Sequence, residues 1–204
     1  MLETERSSGT LRVRSDNLEL VFHHRGDRWI HELLVRQGDR WQWLIRSIEG
    51  AADDPIPPSP PLQDLRLEQL GEELFEFQGM GQAGGAIYSA AIRVDPAHRE
   101  IFFDLCLRGK RADSLLQPQS TYEVTNEATA FNPMGPCLTL TAALAQLQAI
   151  PEQIEAQPLG ACRHTTREGT HRITVACSPI ETCGAGLRPR TVRWGYRLRL
   201  VGLP

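Results

Sequence analysis

The sequence predicts an all-β fold, a single-domain antiparallel sandwich with at most a short helix, and three observations support this prediction. First, residues 190–201 (RTVRWGYRLRLV) alternate apolar and polar side chains, as a long half-buried strand does. Second, similar alternating segments recur along the chain with short turns between them. Third, 204 residues with 41% hydrophobic content are enough for one sizeable core. A closed antiparallel β-barrel is the alternative, because successive hairpins can also close into a barrel.

The first quarter of the chain predicts a four-stranded meander. Its strands are residues 10–14, 17–23, 29–36 and 40–46, and Gln37, Gly38 and Asp39 have the composition of a hairpin turn. Residues 51–61 (AADDPIPPSPP) carry five of the 14 prolines, which cannot donate to a sheet ladder, so a long loop is expected there. A domain boundary at this loop would leave about fifty residues before it, near the lower limit for an independent core. We therefore expect one β-sandwich domain over residues 1–204, with the Pro-rich loop at 51–61 inside it.

The middle of the chain predicts two further hairpins. Residues 65–70 and 73–78 form the first and residues 86–94 and 99–108 the second, with residues 79–85 (GMGQAGG) as a flexible turn between them. The glycine run also matches the GxGxxG pattern of a dinucleotide site. Such a site needs a helix after the glycines, and the residues that follow are strand-like. No cofactor is therefore expected.

The last third of the chain predicts one helix and one more hairpin. Residues 141–150 (TAALAQLQAI) favour a short helix, because Thr141 could cap it, Leu144 and Leu147 lie three apart and Pro151 would end it. Residues 163–176 predict a hairpin that turns near Glu168 and Gly169, ahead of the closing strand.

Composition argues against several classes of partner. A net charge of -3 and a pI of about 6.1 provide no basic field for nucleic acid. No stretch approaches the ~18 to 20 continuous apolar residues that span a bilayer, so no membrane association is expected. The first ten residues (MLETERSSGT) are polar where an export signal would be apolar, and the five cysteines are an odd number. These features predict a cytoplasmic protein with five reduced thiols.

Three histidines are candidates for acid/base chemistry. His31 shares a strand face with apolar residues and could be a buried, tuned acid/base, although a histidine that is simply hydrogen-bonded in the core or at its rim is the more common case. His164 and His171 fall in the 163–176 hairpin, near Cys162 and Cys177. A turn at Glu168 and Gly169 puts His171 opposite Thr166 and His164 opposite Ile173, and we interpret this register as one that scatters the ligands. No metal site is therefore expected.

The closing strand offers a candidate ligand-binding face. Arg193, Arg197 and Arg199 project the same way, and Gly195 leaves a gap between them where a flat ligand could lie. Guanidinium groups bind carboxylates and phosphates through paired hydrogen bonds. The alternative is an exposed face on which these arginines pair with acidic neighbours such as Glu19 or Glu76. Aromatic rings for stacking on a ligand would come from Trp41, Trp43 and Trp194.

Residues 11–50 (LRVRSDNLELVFHHRGDRWIHELLVRQGDRWQWLIRSIEG) resemble the start of galactose-mutarotase-like domains, which begin with an apolar strand, a glycine-containing turn and a hairpin bearing tryptophans. Residues 86–108 (AIYSAAIRVDPAHREIFFDLCLR) are similar to the long paired strands of that family. The resemblance covers about half of the chain. It implies a supersandwich-like fold and affinity for carbohydrate. It does not imply epimerase activity, since the chain is shorter than a full mutarotase and the family's catalytic histidine pair and late glutamate are not matched here.

Three functional hypotheses follow. The leading one is a module that recognises a carbohydrate or another polar ligand on a sheet face, through Arg193, Arg197, Arg199, Trp41 and Trp43. The second is an enzyme acting on sugars, an epimerase or a hydrolase or lyase, in which His31, His164 or His171 is the acid/base. The third is a calyx-like β-barrel that holds an apolar small molecule. The oligomeric state is left open. Exposure of the tryptophans should discriminate, since buried rings cannot stack on a ligand.

Overall fold

The computed structural model describes residues 3–7, 9–51, 53–110, 116–142, 145–152, 160–176 and 191–201, and in these ranges it contains sixteen strands and no helix. The first eight strands are Glu3–Ser7 (β1), Thr10–Arg14 (β2), Leu18–Arg25 (β3), Arg28–Gln37 (β4), Arg40–Ser47 (β5), Asp64–Gln69 (β6), Phe75–Ala83 (β7) and Ala86–Asp95 (β8). The other eight are Glu100–Gly109 (β9), Gln119–Val124 (β10), Ala128–Met134 (β11), Cys137–Ala142 (β12), Ala145–Glu152 (β13), Ala161–Arg167 (β14), Thr170–Ala176 (β15) and Thr191–Val201 (β16). Within the same ranges, no helix could cross a bilayer.

The strands form two antiparallel sheets of eight strands each, which face one another as a sandwich. Sheet 1 has the order β1-β2-β3-β4-β5-β10-β15-β14, and sheet 2 has the order β11-β12-β13-β16-β9-β8-β7-β6. Apart from Val21, the buried apolar side chains of both sheets belong to one cluster. In the described part of the chain each sheet keeps two edge strands that pair on one side only. The expected sandwich is therefore confirmed, and the alternative of a closed barrel is wrong.

The closing strand β16 has the orientation that its alternation predicts. Its five alternating apolar side chains are buried: Val192, Trp194, Tyr196, Leu198 and Leu200. It lies centrally in sheet 2, between β9 and β13. The initial meander also forms as expected, because β2, β3, β4 and β5 are consecutive neighbours in sheet 1. β16 thus completes a sheet that earlier segments begin.

The helix expected at residues 141–150 is wrong, because this segment holds the end of β12 and most of β13. In β13 the alternate residues Ala145, Leu147, Ala149 and Pro151 are buried, which is the period of two of a strand. The spacing of Leu144 and Leu147, which also fits a helix, concealed this period in the sequence. Pro151 lies beyond the last residue of β13 that pairs with β12, so a proline at this point interrupts no ladder between those two strands.

The glycine-rich segment at residues 79–85 also differs from expectation, since β7 continues through Ala83 and the turn is confined to Gly84 and Gly85. The Pro-rich loop explains these glycines. Its last residues pass directly over β7, so that a Cβ at Gly81 would lie 1.6 Å from the Pro61 carbonyl oxygen. Glycine is needed here for close backbone approach.

The end of the Pro-rich loop joins the two sheets. The amide of Trp29 in sheet 1 donates to the Leu62 carbonyl over 2.7 Å, and the amide of Gln63 donates to the Met80 carbonyl in sheet 2 over 2.8 Å. One short stretch of chain is therefore hydrogen-bonded to both layers.

We expect Gly81→Ala to lower the free energy of unfolding by at least about 1 to 3 kcal/mol, because the new methyl group would collide with backbone that cannot rotate away. Gly9→Ala is the matched control: no atom lies within 4 Å of a Cβ at that position. It should change stability by no more than about 0.5 kcal/mol. Urea denaturation of both variants tests this, and equal stabilities would show that the loop does not press on β7.

Candidate functional site

A groove on the outer face of sheet 2 is the principal candidate site. It runs across β6, β7, β8, β9 and β16 and has a volume of about 500 Å³, within the range of small-molecule sites. The pairing register creates it. Asp104 of β9 lies opposite Ala91 of β8 on one side and Gly195 of β16 on the other. Because residues opposite one another point the same way, Asp104 is flanked by a methyl group and a hydrogen, which leaves a hollow in the sheet surface.

Arg193 and Asp104 form an ion pair in the groove that is held by two hydrogen bonds. The Nε of Arg193 donates to Oδ1 of Asp104 over 2.7 Å, and a terminal guanidinium nitrogen donates to Oδ2. This paired arrangement fixes both side chains. The Asp104 side chain is 14% exposed and that of Arg193 is 42% exposed, so the arginine is accessible to a ligand while the carboxylate supports it from below.

Glu76 supplies a second carboxylate at the groove that neighbouring side chains hold by hydrogen bonds. Arg93 donates to its Oε2 over 2.8 Å and Gln78 donates to its Oε1 over 2.9 Å. Burial raises the pKa of Glu76, but the hydrogen bonds from Arg93 and Gln78 outweigh burial, and the net pKa lies below its ordinary value. Glu76 is therefore an ionised hydrogen-bond acceptor at neutral pH.

The rest of the lining combines one pair of exposed charged residues, Asp64 and Arg66, with small or apolar residues. It consists of Asp64, Arg66, Gly79, Met80, Ser89, Ala90 and Cys106. Met80 is 59% exposed and offers an apolar contact at the rim. Burial raises the pKa of the Cys106 thiol, so this side chain stays protonated at neutral pH.

The other two arginines of β16 lie beside the groove rather than in its lining. Arg197 pairs with Glu100 at 3.0 Å and with Glu152 at 2.8 Å, and Arg199 also pairs with Glu100. The acidic partners of these arginines thus differ from the two suggested by the sequence. Glu19 pairs with Arg12 and Arg14 in sheet 1, and Glu76 pairs with Arg93.

The structure does not bring the expected tryptophans to these arginines. Trp41 and Trp43 lie in β5 of sheet 1, half-buried, with Arg14 over the first ring at 5.0 Å and Arg46 over the second at 4.9 Å. Trp194 is buried in the core, with 1% of its surface exposed. The residues grouped by sequence therefore fall on two separate sheets.

His31 lies between the sheets in a network of buried polar groups. Its Nε2 is 3.2 Å from the hydroxyl of Tyr122, which in turn is hydrogen-bonded to the hydroxyl of Tyr196. Burial lowers the pKa of His31 to about 3. The cavity beside it has a volume of about 10 Å³, roughly the space for one water molecule.

Glu49 is a member of this network that no sequence pattern marks as functional. Its Oε1 lies 3.9 Å from Nδ1 of His31, and burial raises the pKa of Glu49 to about 8. It follows β5 in a segment without regular structure, where side-chain direction has no periodicity that a sequence pattern could reveal.

His164 and His171 meet at the edge of sheet 1. The expected register of β14 and β15 is confirmed, with His164 opposite Ile173 and His171 opposite Thr166. The inference that this register separates the histidines is wrong. Opposite and alternate residues share one face, so the two rings are diagonal neighbours and bring Nε2 of His164 to 3.0 Å from Nδ1 of His171.

The cysteines near these histidines do not join them. Cys162 donates instead to the Ala149 carbonyl over 3.4 Å, and burial raises the pKa of its thiol to about 12. Cys106, Cys137 and Cys162 are free thiols, whereas Cys177 and Cys183 lie outside the described residues. Within the described ranges, no three side chains of His, Cys, Asp or Glu are grouped so as to hold a metal ion.

Comparison of the sequence with protein-family models and with curated proteins found no match. Function must therefore be inferred from the geometry of the groove and of the buried groups.

Proposed function

We propose that this β-sandwich is a binding module whose groove on the outer face of sheet 2 takes a neutral carbohydrate. The observation that carries the proposal is the Arg193–Asp104 pair, which holds a 42% exposed guanidinium group in a fixed orientation beside a hollow of about 500 Å³. Sugars are bound through hydroxyl groups that donate and accept at once, so a wall of fixed donors and acceptors suits them. The resemblance to galactose-mutarotase-like domains supports the same class of ligand.

The charge balance of the groove favours a neutral ligand. Its lining holds three carboxylates, Asp64, Glu76 and Asp104, and two guanidinium groups, Arg66 and Arg193. A third guanidinium group, that of Arg93, neutralises Glu76. A strongly charged ligand would have to displace one of these ion pairs and leave a charge with no partner, which costs binding energy.

The groove is better suited to binding than to sugar hydrolysis. Glycoside cleavage requires one protonated carboxylic acid beside one carboxylate. The lowered pKa of Glu76 keeps it ionised, and Asp104 is engaged by Arg193 through both oxygens. The described residues that line the groove include no histidine. We further propose that the module acts in the cytoplasm, in keeping with the free thiols of its described part.

We expect Arg193→Gln to weaken sugar binding about ten- to hundredfold, because hydrogen bonds from charged groups contribute about 1.5 to 3 kcal/mol. An oligosaccharide array with neutral, acidic and amino sugars would first identify a ligand. Isothermal titration calorimetry with the neutral oligosaccharide that gives the strongest array signal would then compare the variants.

Arg46→Gln is the matched control. Arg46 pairs across strands with Glu32 on sheet 1, with side chains 34% and 12% exposed, close to the values for Arg193 and Asp104. Its removal should leave sugar affinity unchanged. Binding to no sugar on the array, or an equal loss of affinity in both variants, would refute the proposed groove.

A further inference from the structure

The histidine pair on β14 and β15 has the spacing of two ligands of one metal ion. Histidine nitrogens lie about 2.0 to 2.1 Å from zinc or a similar ion, so two of them at angles between 90° and 109° are about 2.8 to 3.4 Å apart. The observed separation of Nε2 of His164 from Nδ1 of His171 is 3.0 Å. An oxygen donor is also close, since Oγ1 of Thr166 lies 3.3 Å from Nδ1 of His171.

The rings are held in place from the opposite sheet. Phe131 of β11 stacks on His164 with 3.6 Å between ring centroids and an interplanar angle of 8°, and it also contacts the ring of His171 at 4.8 Å. Both histidines are half-buried, so solvent reaches them while their rotation is restricted. A preoriented pair loses less side-chain entropy when it binds an ion.

The lowered pKa of His164 suits a metal ligand. Burial, followed by the proximity of His171, lowers the pKa of His164, which keeps its ring neutral at pH 7. Neutral imidazole is the form that binds metals, and it prefers zinc, copper and nickel to magnesium.

We propose that His164 and His171 bind a divalent transition-metal ion of the nickel, copper and zinc group, with water in the remaining coordination positions. The ion takes one nitrogen lone pair from each ring. The proton that now lies between the two nitrogens moves, through solvent, to the other nitrogen of the ring that carries it. When both rings are neutral, binding therefore releases no net proton. Because Phe131 packs on the pair, the ion also strengthens the contact between the edges of the two sheets.

Thermal unfolding of the untagged protein in nickel chloride tests this site, with magnesium chloride as the salt control. We expect nickel to raise the melting temperature by roughly 3 to 6 °C once its concentration exceeds the Kd about tenfold. His164→Gln and His171→Gln should each abolish the rise. His98→Gln should retain it, because His98 lies in the exposed turn between β8 and β9, hydrogen-bonded to Asp95.

A measurement on the unmodified protein guards against variants that fail to fold. Substoichiometric copper(II) is paramagnetic and should broaden the NMR signals of the rings of Phe131, His164 and His171 and leave the ring of His98 sharp. The site is refuted if nickel leaves the melting temperature of the natural protein unchanged, if both glutamine variants keep the full rise, or if copper broadens all histidine rings alike.

Discussion

Replacing Trp194 by alanine should destabilise the protein by about 3 to 5 kcal/mol, the usual cost of truncating a buried aromatic side chain. Trp194 projects from the middle of β16 into the space between the sheets, where 1% of its surface is exposed. It lies opposite Leu105 of β9, another buried residue, so the cavity would open in the centre of sheet 2. Equilibrium denaturation in urea, followed by circular dichroism, measures the change.

Two further substitutions on the same strand distinguish the loss of core packing from the loss of surface ion pairs and from the loss of the indole N–H. Arg197→Ala removes a 40% exposed side chain and its ion pairs with Glu100 and Glu152, and should change stability by only about 0.5 kcal/mol. Trp194→Phe should cost less than Trp194→Ala, because it keeps most of the ring and deletes an indole N–H that has no hydrogen-bond partner among the described residues. Equal destabilisation by Trp194→Ala and Arg197→Ala would mean that the two faces of β16 are assigned wrongly.

The faces of β16 could be predicted from the sequence because one side of the strand meets the core along its whole length. Side-chain direction then follows chain position with a period of two, and Trp194 and Arg193 must point opposite ways. The turn at Glu168 and Gly169 is also predictable from local sequence, and both residues have positive φ angles there.

The segment at residues 141–150 shows where local rules fail. Its alanine, leucine and glutamine residues have good helix propensity, and Leu144 and Leu147 fit a helical turn. Pairing with residues distant in the sequence decides that this segment is a strand. Leu147 pairs with Leu140 of β12 and with Leu200 of β16, and strand pairing of this kind overrides propensity.

The groove could not be predicted from the sequence for the same reason. Asp104 and Glu76 are ordinary carboxylates in alternating strands, and nothing nearby in the chain marks them. The hollow depends on two pairing registers, those of β8 with β9 and of β9 with β16, which place Ala91 and Gly195 in the same row as Asp104. The proximity of His164 and His171 is predictable from the sequence. The expected register of β14 and β15 is correct, and it makes these two residues diagonal neighbours on one face of the sheet.

The free energy of unfolding should fall by about 2 kcal/mol between pH 6.5 and 8.5, and Glu49 should cause the fall. The folded protein holds the Glu49 proton up to a pKa of about 8, whereas the ordinary pKa of a glutamate side chain, taken for the unfolded chain, is 4.5. Between these values the folded state binds a proton that the unfolded state lacks, so stability decreases as pH rises. His31 has the opposite effect: burial lowers its pKa from 6.5 to about 3, so stability increases with pH in that interval. The two slopes cancel where they overlap, from pH 4.5 to 6.5, and above this range the Glu49 slope alone remains.

Glu49→Gln isolates this contribution, because the amide keeps the shape of the protonated carboxyl and has no proton to lose. Its stability should stay level where that of the natural protein falls, so the stability of the variant relative to the natural protein should increase by about 2 kcal/mol between pH 6.5 and 8.5. Exposed histidines and other groups titrate alike in both proteins and cancel in the comparison. Urea denaturation at half-unit intervals from pH 5 to 9 gives the two curves. Parallel curves would show that Glu49 is already ionised at neutral pH, and that the network of His31, Tyr122 and Tyr196 accommodates a buried charge instead of a neutral acid.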